Sequence, residues 1–247
     1  MNDLLINLLA SVVAATIGWL AQRLHRYRRM VRKQAFFGLD RGSECVLTVP
    51  RHVDSSSDHS VHRRDVAAMV ELATIAKDCR ATIELVGSDE VPTGLGRAME
   101  FCVGGPTAND RTAAHLRTML PGVEYQEASD DDIVAPFAVG GTVFRRVRGS
   151  VEFVLLARVF GPAGGRPVFV ISGQTARTNF AAARYLATNF GELAKRRRSG
   201  EPFCLVLRVV ESRFYGPDYA EIAADVTADA FTAPDADPNL TPAPAPS

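Results

Sequence analysis

Three stretches of this chain collect residue types that could hold an anion or move a proton. The first is Arg51 to Asp65, RHVDSSSDHSVHRRD. It carries His52, His59 and His62, three of the five histidines, interleaved with Asp54, Asp58 and Asp65. Neutral imidazoles and carboxylates ligate divalent ions, and either can act as a general base. The spacing fits neither His-x-His-x-Asp-His nor His-Glu-x-x-His, so it specifies no metal site. A solvated loop leading into a helix explains the same residues. His52, Asp54, Asp58, His59 and His62 stand as catalytic candidates beside that plainer reading.

The second stretch is Gly104-Gly105-Pro106-Thr107-Ala108-Asn109, set between the apolar run MEFCV and a helical pattern that continues to Leu120. Glycines let backbone amides approach a ligand, and the free N–H groups of a helix start attract phosphate or carboxylate. The third, Ser172 to Asn179 (SGQTARTN), repeats the arrangement: an apolar run, Gly-x-Thr-Ala, then a helix. Gly104, Gly105, Thr107, Asn109, Gly173, Thr175 and Arg177 are therefore the candidate ligand-binding residues. Helix capping is the competing account, with Thr107 and Asp110 as a Thr-x-x-Asp box and Thr175 as a second cap. Neither loop has the G-x-G-x-x-G spacing of a dinucleotide site or the Gly-Lys-Ser/Thr of a P-loop, so no cofactor is indicated. Ser88-Asp89-Glu90, after a short apolar run, could meet a ribose, but the glycine fingerprint that accompanies such acids is missing. No Gly-x-Ser-x-Gly elbow and no cysteine beside a base in sequence supplies a nucleophile.

Strands and helices in alternation must position these loops. CVLTVP (45–50), TIELV (82–86), MEFCV (99–103), VEFVLLARVF (151–160), PVFVIS (167–172) and FCLVLRVV (203–210) read as strands. Helices are expected over 62–79, with Val66, Met69, Val70, Ala73 and Ala76 on its inner face, and over 175–195, with Phe180, Ala183, Ala187, Phe190 and Ala194 inward. A short strand is expected at 123–126 and a last short helix at 214–226. The runs at 151–160 and 167–172 are joined by GPAGGR, which favours an antiparallel pair. The expected fold is α/β, a three-layer Rossmann-like or flavodoxin-like domain over 44–228 with a mostly parallel sheet and a mixed edge.

Residues 4–21 contain no charge, and the six Lys/Arg from Arg23 to Lys33 follow with no acid among them. Eighteen residues in a helix span about 27 Å, close to a bilayer core, with Asn7 the most polar member of the run. The basic flank orients such a span with the N-terminus outside and the rest cytoplasmic, whereas a cleavable signal would carry its charges first. The expected organisation is a transmembrane anchor with basic flank over 1–33, a connector over 34–43, the α/β domain, and a Pro/Ala-rich disordered tail over 229–247.

Lys+Arg and Asp+Glu balance at 28 each, so bulk charge points to no nucleic-acid partner. The four cysteines lack a Cys-x-x-Cys pair, as expected of reduced thiols in a cytosolic domain. Together these features suggest a membrane-anchored module that senses a nucleotide-like or phosphorylated ligand. The alternatives are a nucleotide or phosphoester hydrolase using the histidine loop, and a non-catalytic interaction protein. No oligomeric state is implied.

Overall fold

The computed structural model describes residues 2–53, 55, 57, 60–90, 94–126, 134–148, 150–198, 200–210 and 212–233, and of 2–5, 8, 212 and 213 the backbone alone. Asp54, Asp58 and His59, the acidic run 130–132 and the tail from 234 onward lie outside these described residues. In chain order the first elements are helix α1 (Asn2–Phe37), strand β1 (Glu44–Val49), α2 (Arg63–Asp78), β2 (Thr82–Gly87), β3 (Met99–Val103) and α3 (Asp110–Met119). Then follow β4 (Val123–Tyr125), β5 (Phe137–Val139), β6 (Thr142–Phe144), β7 (Val151–Val159), β8 (Val168–Gly173) and α4 (Ala176–Arg196). The last are β9 (Phe203–Val210), α5 (Ser212–Tyr215), β10 (Ala220–Asp225) and α6 (Thr227–Ala230).

Seven strands form one sheet in the order β10-β9-β7-β8-β3-β1-β2, and β4-β5-β6 form a small antiparallel sheet. Strands β8, β3, β1 and β2 are parallel neighbours. β7 runs against both β8 and β9, and β10 runs against β9, so β9 rejoins the parallel direction and five of the seven strands share it. β3 and β8 are buried at every position, which is why they read as unbroken apolar runs rather than alternating ones. The mixed edge is thus an antiparallel half built from β7, β9 and β10. The segment expected as a last helix, 214–226, holds only the end of the four-residue α5 and then β10.

Alternate residues of each strand feed two cores. Phe101, Val154, Leu156, Phe169, Phe203 and Leu207 pack under α2 and α4, with Leu72, Ile75, Ala182 and Leu186. Cys102, Leu155, Val170 and Val206 pack on the opposite side, with Leu116 of α3, Phe137 and Phe144 of the small sheet, and Ala230 of α6. The inner face of α2 differs from the expected one. Ala68, Leu72, Ile75 and Ala76 are buried, while Val66 and Val70 are 43% and 61% exposed. Two apolar stripes satisfy the same 3.6-residue period here, and packing against the small-residue face of α4 selects the one with the alanine and leucine. In α4 the buried side chains are Ala181, Ala182, Ala183, Leu186, Phe190 and Leu193, with Phe180, Ala187 and Ala194 at the margin.

The connector expected over 34–43 is instead part of the folded domain. α1 continues to Phe37 and ends in a Schellman motif. Gly38 adopts φ +64°, and the Leu39 N–H bonds back to the Gln34 carbonyl at 3.0 Å. Phe36, Phe37 and Leu39 are buried in the core, with the Phe37 ring 5.3 Å from Phe169 and 6.1 Å from Phe101. Arg158, fully buried on β7, locks this corner. It donates to the carbonyls of Phe36 (3.1 Å), Arg198 (2.8 Å) and Glu201, and lies 4.9 Å from the Phe36 ring and 5.1 Å from that of Phe203. Further toward the N-terminus α1 leaves the domain: Val12, Val13, Ile17, Trp19, Leu20 and Leu24 are exposed. Among the described residues no helix is long and apolar enough to cross a membrane.

Candidate functional site

Each of the three candidate loops follows a strand of the parallel group and leads into a helix. Arg51 to His62 connects β1 to α2, Gly104 to Asn109 connects β3 to α3, and Gly173 to Thr175 connects β8 to α4. Because β8, β3 and β1 are adjacent and parallel, the three loops meet at one edge of the sheet, and the N-termini of α2, α3 and α4 meet with them. From β1 the chain passes to β2 on one side, and from β3 to β8 on the other, so this edge is where the strand order reverses. Such a reversal opens a crevice beyond the strand ends. A cavity of about 780 Å³ occupies it.

Of the residues singled out from the sequence, His52, His62, Gly105, Thr107, Gly173, Thr175 and Arg177 line this cavity. Gly104 and Asn109 do not. Gly104 makes the turn, with φ +106° and space so tight that a Cβ would come within 2.9 Å of the Pro50 side chain. Asn109, rather than Thr107, caps α3. Its Oδ1 accepts from the N–H groups of Arg111 (3.0 Å) and Thr112 (3.1 Å), while its Nδ2 donates to the Val103 carbonyl (2.8 Å). Thr175 is a cap as expected, in a reciprocal box with Thr178. Ser88, Asp89 and Glu90 lie away from the cavity; the Glu90 carboxylate accepts from the Gly87 N–H and closes its own turn (3.0 Å).

Most of the charge around the cavity comes from residues outside the two glycine loops. Arg51, Arg64 and Arg146 join Arg177 on its wall, with Asp65 and Glu152 below them. Glu152 is buried and is held by Arg146 (2.8 Å) and by the Thr175 hydroxyl (3.1 Å). Asp65 accepts from Asn179 Nδ2 at 2.8 Å, and Asn179 Oδ1 accepts from the Gly173 N–H at 2.8 Å. Burial raises the Asp65 pKa, against the pull of Asn179, His62 and His52. Burial, then the adjacent Arg177 and Arg63, lowers that of Arg64, a sign of crowded cations. His62 caps α2 by accepting the Arg64 N–H on Nδ1 (3.2 Å), which leaves Nε2 to carry the proton of the neutral ring. The His52 ring lies 5.3 Å from it, and His52 Nδ1 is buried without a hydrogen-bond partner in the protein. Such orphans are uncommon in native structures, and Thr112 Oγ1 on α3 is the other among the described residues.

A second polar cluster lies on the other face of the sheet. Glu100, on β3, takes a two-pronged bond from Arg111 (Nε 2.9 Å, Nη2 3.0 Å), with the Cys102 thiol at 2.9 Å and His115 Nε2 at 3.3 Å. Glu100, Cys102 and His115 have the donor types and the proximity, within 4.8 Å, of a metal site. The guanidinium already spans both carboxylate oxygens, however, so a cation would have to expel it. Cys102 is no nucleophile either, because burial and then Glu100 push its thiol pKa well above the ordinary value. All four cysteines are free and buried.

The signal that could have found Glu152 and Glu100 is a lone acid inside an apolar strand, VEFVLLARV and MEFCV. A charge there must find a buried partner.

Compared with family models, curated proteins and solved structures, the chain shows no match.

Proposed function

We propose that this cavity binds a phosphorylated or nucleotide-like anion and that the domain is a sensor or regulatory module. The observation that carries the reading is the convergence of the α2 and α4 N-termini, the glycine loop before α3 and four arginines on one cavity at the strand-order reversal. Helix N-termini favour anions, and arginine forks match phosphate oxygens. The volume suits a ligand of nucleotide size. The strand sequence β2-β1-β3-β8 follows the 2-1-3-4 pattern of flavodoxin-like domains, which hold phosphorylated ligands at the equivalent edge. We further propose that the apolar half of α1, completed by Leu4, Leu5 and Leu8, whose side chains lie outside the described ones, is a single-pass tether with its N-terminus outside, leaving the domain cytoplasmic. Its exposed side chains need a cover, and the basic run that follows suits anionic headgroups.

The test is calorimetric titration of the full chain with inorganic phosphate, pyrophosphate and a set of nucleotides. At least one of these binds, and Arg177→Ala weakens it by roughly 10- to 100-fold, the range for losing one charge-assisted bond. No heat with any of them would sink the reading.

The unpartnered His52 Nδ1 beside Asp65 favours a second reading, a phosphoester hydrolase with His52 as general base. Turnover of a bound nucleotide that His52→Ala abolishes, with binding retained, would establish that reading over the sensor.

A further inference from the structure

The sequence places two basic runs far apart, Arg23 to Lys33 and Lys195 to Arg198. The fold brings them together. Arg158 holds the Phe36 carbonyl with one prong and the Arg198 carbonyl with another, so the ends of α1 and α4 lie within the width of one guanidinium. Arg29 and Lys33 of α1 lie over the ring of Phe190 on α4, at 6.0 and 5.4 Å. Acids at this end pair with cations: Asp78 with Lys33, Glu192 with Lys195, Asp225 with Arg197, Asp40 with Arg166 and Glu201 with Arg198. The excess charge there is positive and exposed, on Arg29, Arg32 and Arg196.

This end is opposite the cavity. Gly38 sits against Pro167, just before β8 begins, and Glu201 lies just before β9. The cavity opens where β1, β3 and β8 finish. A six-residue strand at about 3.3 Å per residue separates the two ends by roughly 20 Å. A dipole argument accounts for basic residues closing α4. It does not account for their meeting the basic turns of another helix at the base of the domain.

We propose that the joint α1–α4 base docks the domain on an anionic lipid surface, so that the cavity faces away from the bilayer and takes its anion from the aqueous phase. The inference rests on the α1 tether proposed above. It assigns the Lys195 to Arg198 run a lipid-facing role that the tether does not require. A second copy of the chain is a poorer occupant, because it would bring the same positive surface against itself.

The test compares partition of the full chain onto phosphatidylserine-containing and purely zwitterionic vesicles. Arg196→Gln lowers the ratio of the two partition coefficients by about fivefold, the value for one surface cation. A fluorophore on Asp40→Cys is strongly quenched by an acceptor lipid on the anionic vesicles, and one on Thr107→Cys only weakly; the native thiols are buried and stay unlabelled. A ratio indifferent to the α4 variant, with equal quenching at both positions, overturns the proposal while leaving the tether standing. Failure to partition onto either vesicle overturns the tether, and the docking with it.

Discussion

The two buried polar clusters on either side of the sheet are made from the same residue types and differ in how completely they are satisfied. Around Glu100, an arginine fork, a histidine and a thiol all close on one carboxylate. Around the cavity, Asp65 and Glu152 are held in place, yet His52 keeps a buried nitrogen without a partner beside an opening lined by four arginines. A carboxylate among cations is therefore not by itself a sign of function. The cluster whose bonds are all made within the chain is a structural joint, and the one that leaves capacity unused is where a ligand can add binding energy.

The largest effect should come from breaking the closed cluster. Glu100→Ala strands Arg111 and His115 without their acceptor and should cost about 3–5 kcal/mol, the range for removing one partner of a buried ion pair. Denaturant unfolding measures this, and a loss below about 1 kcal/mol would place Glu100 on a par with an exposed pair. Next comes acid. Burial would raise the Glu100 pKa, but His115, Arg111 and Cys102 pull it below the ordinary 4.5, to about 2. Its contribution is thus fully present above about 4.5 and is lost as the pH falls toward 2, on the order of 3 kcal/mol in total. Asp65 has the opposite sign: its pKa is raised, so its ionised form opposes folding and acid relieves it. Unfolding curves against pH, with Glu100→Gln as the control that flattens the acid limb, separate the two. The smallest effect on stability is expected for Asp65→Asn, which keeps an acceptor for Asn179 and removes a buried charge. It should shift stability by less than about 1 kcal/mol. A loss as large as that of Glu100→Ala would erase the distinction between the clusters.

Much of this arrangement was legible in the chain. The unbroken apolar runs located the central strands, and Gly-x-Thr-Ala between run and helix located two of the three loops that meet at the cavity. Which face of α2 turned inward was not legible, because Val66 and Val70 repeat with the same period as Leu72 and Ile75. Nor were Arg146 and Glu152, which reach the cavity from segments unrelated in sequence to its glycines. Their meeting depends on strand order, and strand order is a long-range property that local pattern does not carry. Phe36 and Phe37 were hidden for a similar reason: they follow a basic run that looks like the close of an anchor.

Those two phenylalanines decide where the chain can be cut. A fragment begun at residue 40 would lack both rings and Leu39. It would leave Phe101, Phe169 and Phe203 facing water and the Arg158 guanidinium short of the Phe36 carbonyl. At roughly 1.5–3 kcal/mol for each buried apolar side chain, the three together rival the 5–15 kcal/mol by which a domain is stable at all. Any trimmed protein meant for work in solution has to keep the last turns of α1, basic residues included, so biochemistry on the isolated domain will always carry part of the Arg23 to Lys33 charge.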